Sequence, residues 1–225
     1  MNILYEDRSL IVCIKPVGVL SQADENGGES MITLLEAHCG CTVYPLHRLD
    51  REVGGVMAYA KTKQAAAKLS QAIAEHRFRK EYIALVHGCP AQADGELRDL
   101  LFKDSRKNKS FVVTRPRKGV KEALLEYRVL STRTLHAETP LSAVLVLLHT
   151  GRTHQIRVQF ASRKMPLVGD RKYGGRDSFD TIGLWSFRLR FEHPASGEAL
   201  CFSALPSTPF NDFLPADATQ IAFIG

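Results

Sequence analysis

The sequence predicts an α+β fold, a mixed and mainly antiparallel central sheet flanked by helices and loops, within one domain spanning 1–225. Three observations predict it. β-rich runs of strand length dominate the middle of the chain. They do not alternate with helical stretches at regular spacing, which argues against a doubly wound parallel sheet. "LWSFRLRFEHP" (184–194) alternates strictly, with Trp185, Phe187, Leu189 and Phe191 on one face and Ser186, Arg188, Arg190 and Glu192 on the other. That is the pattern of a half-buried antiparallel strand.

Taken in order, "RSLIVCIKP" (8–16) reads as a short buried strand ended by Pro16, and "VGVLSQADENGGES" as a mobile loop. "SMITLLEAHCG" (30–40) fits a helix with Ser30 as N-cap and Gly40 just past its end. "GVMAYAKT" (55–62) reads as a strand. "TKQAAAKLSQAIAEH" (62–76) is the clearest helix, with Ala65, Leu69, Ala72 and Ile73 at i, i+4, i+7 and i+8. "KEYIALVHG" (80–88), "ALLEYRVLS" (123–131) and "LSAVLVLLHT" (141–150) follow as β-rich runs, and "HPASGEALCFSA" turns the 184–194 strand back as a hairpin.

Composition narrows the function classes. At 44% hydrophobic and 24% charged residues the chain is an ordinary globular protein long enough to bury a core. No apolar run approaches the roughly 20 residues of a membrane span. Charges at Glu6, Asp7 and Arg8 interrupt the place of a signal peptide, so a cytoplasmic location is expected. Five scattered cysteines are expected to be reduced thiols. In "AHCGCTVYPLH", His38, Cys39, Cys41 and His47 raise a metal question. Structural zinc usually takes two well-separated ligand pairs, and the expectation is no metal. The net charge of +6 is concentrated in "HRFRK" (76–80), "KDSRKNK" (103–109) and "RPRKGVK" (115–121), clusters that attract phosphates and point to a nucleic-acid partner.

Two segments carry chemistry. "YPLHRLDREVGG" (44–55) sets Asp50 among His47, Arg48 and Arg51, and the arginines would hold the carboxylate ionised, with Glu52 an alternative partner for either. "LLHTGRTHQIRVQFASRKMPLVGDRKYGG" (147–175) places Arg152, Thr153, His154, Gln155 and Arg157 directly after a very apolar strand. This arrangement suits a polar pocket better than a core. Tyr82, in "FRKEYIALVHG", lies among apolar neighbours, where a tyrosine usually packs with a satisfied hydroxyl.

The motifs "HRLD", "KEYIALVHG", "TGRTHQIRVQFA", "PLVGDRKYGG" and "LWSFRLRFEHP", in this order, resemble the RluA family of RNA pseudouridine synthases from residue 3 to about residue 206. The S4 RNA-binding domain of many relatives would have to precede residue 1 and is expected to be absent. The resemblance implies a cofactor-free enzyme acting on structured tRNA or rRNA. Such an enzyme flips a uridine out, breaks its C1′–N1 bond, rotates the uracil and rejoins it through C5. It implies that Asp50 is the essential aspartate, leaving open attack at C1′, addition at uracil C6 or deprotonation at C2′. Arg157 would pair with Asp50, and Tyr82 would stack on the base and take part in removing the C5 proton. Arg48 would fill the gap left by the flipped base. Ile156 would line the uracil pocket, while His47, Arg152, His154 and Gln155 would bind RNA or shape the site. A monomer with no obligate protein partner is expected.

One departure stands out. Where the family usually has Thr-Ser-Gly, this chain has Val53-Gly54-Gly55, which implies a looser loop after the aspartate. Two other readings compete. A non-catalytic RNA-binding protein or chaperone would explain that departure. An aspartate-based nucleoside or glycoside hydrolase would need a second catalytic carboxylate, for which neither Glu52 nor Asp170 has a clear claim.

Overall fold

The computed structural model describes residues 1–23, 28–134, 140–175, 177–206 and 210–215. The elements begin with β1 (Asn2–Glu6), β2 (Leu10–Lys15), α1 (Met31–Cys39), β3 (Tyr44–Pro45), β4 (Gly54–Ala60) and α2 (Lys63–Ala74). Next come β5 (Arg79–His87), β6 (Asp94–Asp104), β7 (Lys109–Val113), β8 (Val120–Arg133), β9 (Leu141–Leu148) and α3 (Gln155–Ser162). Strands β10 (Leu184–Glu192) and β11 (Ala199–Ser203) and a 3-10 turn (Phe210–Phe213) complete the described chain. It divides into two compact units, 1–80 with 185–206, and 81–184 with 207–225.

In the first unit, β4 is the organising strand. It pairs antiparallel with β2 over Leu10↔Ala60 to Lys15↔Gly55, antiparallel with β3, and parallel with β10 through Trp185↔Gly54 and Ser186↔Gly55. β1 extends β2, and β11 pairs antiparallel with β10. Both helices read from the sequence form, the first with the caps expected for it. The Ser30 side chain accepts from the Thr33 amide at the start of α1, and Gly40 closes it in the left-handed region at φ 65. The Thr62 side chain accepts from the Ala65 amide, and α2 buries Ala65, Leu69 and Ala72. Its apolar stripe meets Val56, Ala58, Phe78, Leu189 and Phe191, with the Phe78 and Phe191 rings stacked 4.6 Å apart.

The β10 expectation needs correction. The strand pairs antiparallel with β11 but parallel with β4, and Ser186 and Arg188, assigned to the open face, are buried. Alternation still reports two faces, but a strand with partners along both edges can have both faces covered, which its own sequence cannot say. The loop after Pro16 is also tied down more than expected. The Met31 amide donates to the Leu20 carbonyl, closing the base of the loop, while residues 24–27 lie outside the described residues.

In the second unit the strands run in the order β5-β9-β8-β6-β7. β8 pairs antiparallel with both β9 and β6, and β6 turns into β7 as a hairpin. β6, β7 and α3 were not foreseen as elements. Helix α3 packs over the hairpin strands, where Val158 meets Leu101 and Ala123.

Candidate active site

The backbone on either side of Asp50 is fixed to the loop that follows β2. The Ser21 hydroxyl donates to the Leu49 carbonyl (2.8 Å) and accepts from the Leu49 amide (3.0 Å). On the other side, Gly18 N–H donates to the Arg51 carbonyl (2.8 Å), and Arg51 Nε donates to the Gly18 carbonyl (3.0 Å). The turn closes through the Val53 amide, which donates to the Asp50 carbonyl at 3.0 Å.

Beneath this turn lies Lys15, with no exposed surface. Its ammonium donates to the carbonyls of Pro16 (2.9 Å), Val19 (2.6 Å) and Arg51 (3.2 Å). Burial pushes its pKa down to about 8, against the attraction of Asp50 and Glu52. Lys15 is therefore a cation set close to Asp50, while the Arg51 side chain is engaged with a backbone carbonyl. Arg48 is exposed.

His47, expected to touch substrate, is packed inward. Its Nε2 accepts from the Ala58 amide (3.4 Å), and its ring lies 5.9 Å from that of Phe78. Burial first, and the Lys80 charge second, push its pKa down to about 3, so the imidazole is neutral at physiological pH.

The glycines after Asp50 have a packing reason. A Cβ on Gly54 would come within 2.5 Å of the Trp185 ring and 3.1 Å of the Lys15 carbonyl. The indole fills the space that a serine side chain would need, and its Nε1 donates to the Ala204 carbonyl at 2.8 Å. Val53 is buried at 2% exposure. Gly55 stands at φ 124 with Ser186 backbone where a Cβ would be, so glycine is required there as well.

In the second unit, Tyr82 is buried on β5, and Ile156 is buried in the first turn of α3. Arg157, on the same turn, is held by Asp170 in a bidentate pair: Nε to Oδ2 at 2.6 Å and Nη2 to Oδ1 at 2.9 Å, both side chains buried. The Tyr173 ring lies 5.3 Å from the guanidinium, and its hydroxyl accepts from the Ser110 amide (2.8 Å) and contacts His154 Nδ1 (2.9 Å). Tyr173 thus joins His154 and Arg157, and burial raises its pKa.

Gln155 and Arg152 shape the turn that precedes α3. Gln155 Oε1 accepts from the Thr150 hydroxyl (2.8 Å) and the Arg152 amide (3.0 Å), and its Nε2 donates to the Leu124 carbonyl (3.1 Å). Arg152 Nε donates to the Glu122 carbonyl (2.8 Å).

The basic clusters separate. Within 76–80, Lys80 is buried and Arg77 pairs with Glu75 and Glu192. The 103–109 cluster is the β6–β7 turn, where Asp104 accepts from the amides of Arg106 and Lys107 and leaves both side chains exposed. Lys109 lies over the Tyr173 ring at 4.9 Å and donates to the Lys172 carbonyl.

Lys15, Ser21 and Tyr173 were not singled out by sequence reasoning, and Asp170 was weighed only as a second catalytic carboxylate. A signal for Lys15 existed: a lysine ending an apolar strand immediately before proline. Asp170 stood in the quoted "LVGDRKYGG", without any sign that its partner was Arg157.

The model of the RNA pseudouridylate synthase family matches residues 9–162. An uncharacterized RNA pseudouridine synthase of Aquifex aeolicus is 34% identical over 223 residues, covering 90% of this chain and 68% of that protein. The ribosomal large subunit pseudouridine synthase D of Neisseria meningitidis serogroup A is 32% identical over 223 residues, covering 91% of this chain and 58% of that protein. Among solved structures, human RNA pseudouridylate synthase domain containing 1 matches with a TM-score of 0.76 and 27% identity, over 91% of this chain and 83% of that one.

Proposed function

The chain belongs to the RNA pseudouridylate synthase family and isomerises uridine in RNA to pseudouridine, and on that premise we propose that Asp50 is the carboxylate that carries the reaction. The observation that supports this most is the clamp on its neighbours. Leu49 is tied to Ser21, and Arg51 to Gly18 and Lys15, so the backbone delivers the Asp50 side chain from a fixed turn. Preorganisation of this kind lowers the cost of reaching a reactive geometry.

Tyr82 stacks on the uracil and takes part in removing the C5 proton, and Arg157 supplies a fixed positive charge held by Asp170. Ile156 lines the base, and Arg48 fills the space the uridine leaves. His154 reaches RNA beside Tyr173, while His47, Arg152 and Gln155 position the elements that bear the site. The reaction needs no cofactor, because one glycosidic bond is exchanged for another within the same nucleotide with no net redox change. The whole of 1–225 acts as one catalytic domain, as a cytosolic monomer. Large-subunit ribosomal RNA is the first substrate to test, because the Neisseria relative is named for it, and tRNA is the second.

The test is Asp50→Asn, assayed by single-turnover pseudouridine formation on the RNA identified by mapping pseudouridine in cells with and without the protein. The expected result is complete loss of product with RNA binding and thermal unfolding unchanged. Measurable turnover by the purified variant removes Asp50 from the chemistry. Wild-type protein that binds the RNA without forming product favours the chaperone reading.

A further inference from the structure

A second cluster of polar side chains gathers at the end of α1, among residues with no part in the reaction described above. The last turn of that helix carries His38 and Cys39, and Gly40 turns the chain in the left-handed region just before Cys41. Cys41 is exposed, two residues beyond Cys39. Glu6, at the end of β1, faces the same point. Its Oε2 is 2.8 Å from His38 Nε2, and its Oε1 is 2.7 Å from Lys61 Nζ and 3.6 Å from Cys39 Sγ. The donor atoms of Glu6, His38 and Cys39 all lie within 4.8 Å of one another.

We propose that Glu6, His38 and Cys39 form a binding site for a thiophilic divalent cation of the zinc class. One carboxylate oxygen, one imidazole nitrogen and one thiolate make a three-residue donor set of the softness that Zn²⁺ takes, with the fourth position left to water. Bonds of about 2.0–2.3 Å in tetrahedral geometry separate ligand atoms by roughly 3.3–3.8 Å. The contact between Glu6 and His38 therefore has to open by only a few tenths of an ångström. An ion-pair network would employ Glu6, Lys61 and His38 but gives no role to the Cys39 thiol at the same point.

The charge balance also fits. On binding, the Cys39 thiol releases its proton to solvent as its sulfur takes the metal, and His38 binds through the lone pair of neutral Nε2. One carboxylate and one thiolate neutralise a divalent ion. Lys61 holds the other oxygen of Glu6, in the way that hydrogen-bonded outer groups orient metal ligands. The cation would also lie against the partially negative C-terminal end of α1. The sequence alone grouped His38 and Cys39 with Cys41 and His47; the fold instead packs His47 against Phe78 and brings in Glu6, 33 residues before Cys39.

The test uses untagged, reduced, chelator-stripped protein titrated with Co²⁺, whose thiolate complexes absorb by charge transfer in the near ultraviolet. The expected result is saturation at one equivalent, bleaching on addition of Zn²⁺, and no charge-transfer band in Cys39→Ser. Glu6→Gln and His38→Ala should each weaken Co²⁺ binding by at least about 10-fold. Pseudouridine formation by all three variants should match wild type, which verifies their folding. Absence of the band at one equivalent overturns the site, as does a band that survives Cys39→Ser or wild-type affinity in Glu6→Gln.

Discussion

The turn around Asp50 and the α3 end around Arg157 differ in the bonds that hold them. Around Asp50 the hydrogen bonds described above act on the main chain: Ser21 brackets Leu49, Gly18 and Lys15 bracket Arg51, and Trp185 packs on the bare backbone of Gly54. At Arg157 they act on the side chain itself, through two charge-assisted bonds to Asp170 with the Tyr173 ring alongside. A clamp on the main chain sets the direction in which the turn presents the Asp50 side chain, whatever that side chain itself contacts. A guanidinium that serves as a fixed charge loses nothing by being bonded. The two regions should therefore fail differently, the first to changes in backbone space and the second to loss of one charge.

The largest effect is expected at Asp170. Asp170→Ala leaves the buried Arg157 charge without its bidentate partner and should cost about 3–5 kcal/mol, measured by urea unfolding. A cost below 1 kcal/mol would mean that the pair does not organise this region. Gly54→Ser tests the other side by restoring the serine of the family pattern. Its side chain must displace the Trp185 ring, so the variant should lose about 1–3 kcal/mol, as overpacked cores do. Pairing it with Trp185→Leu should recover part of that loss, whereas strict additivity in the double-mutant cycle would break the comparison.

Lys15 gives a smaller and pH-dependent effect. Its folded pKa of about 8 lies below the ordinary 10.5, so at neutral pH both states bind the proton and the burial penalty is fully present. Between about 8 and 10.5 the unfolded chain holds more protons than the folded one. This group's contribution to stability therefore rises with pH across that window. Unfolding free energies of wild type and Lys15→Met should diverge there by about 1.4 kcal/mol or more, one pKa unit's worth. Parallel curves would dismiss the buried ammonium. The smallest change concerns the exposed β6–β7 turn. Replacing Arg106 and Lys107 with serine should make the salt dependence of RNA binding shallower by about 0.7–0.9 per lost phosphate contact, with stability unchanged.

Local physics made much of this legible in advance. Ser30, Gly40 and Thr62 are caps that act within a few residues, and the apolar stripe of α2 repeats at the helical period, so both helices could be read directly. The family was legible because the motifs that hold Asp50, Tyr82 and Arg157 stand in a fixed order along the chain. Helix α3 was not: its residues 155–160 are buried almost throughout, polar and apolar alike, so no amphipathic stripe marks it. The β6–β7 hairpin was read through the charge of its turn, and the strands on either side went unseen.

By itself, the sequence determined the α+β class, the two capped helices, the chemistry-bearing motifs and the family to which they belong, because those depend on neighbours along the chain. The tertiary structure decided which partners those residues keep. It set Asp170 against Arg157, Lys15 under the Asp50 turn, Trp185 against Gly54 and Glu6 beside Cys39. Each of these pairings joins positions separated along the chain, and only the packed strands and helices bring them within bonding distance.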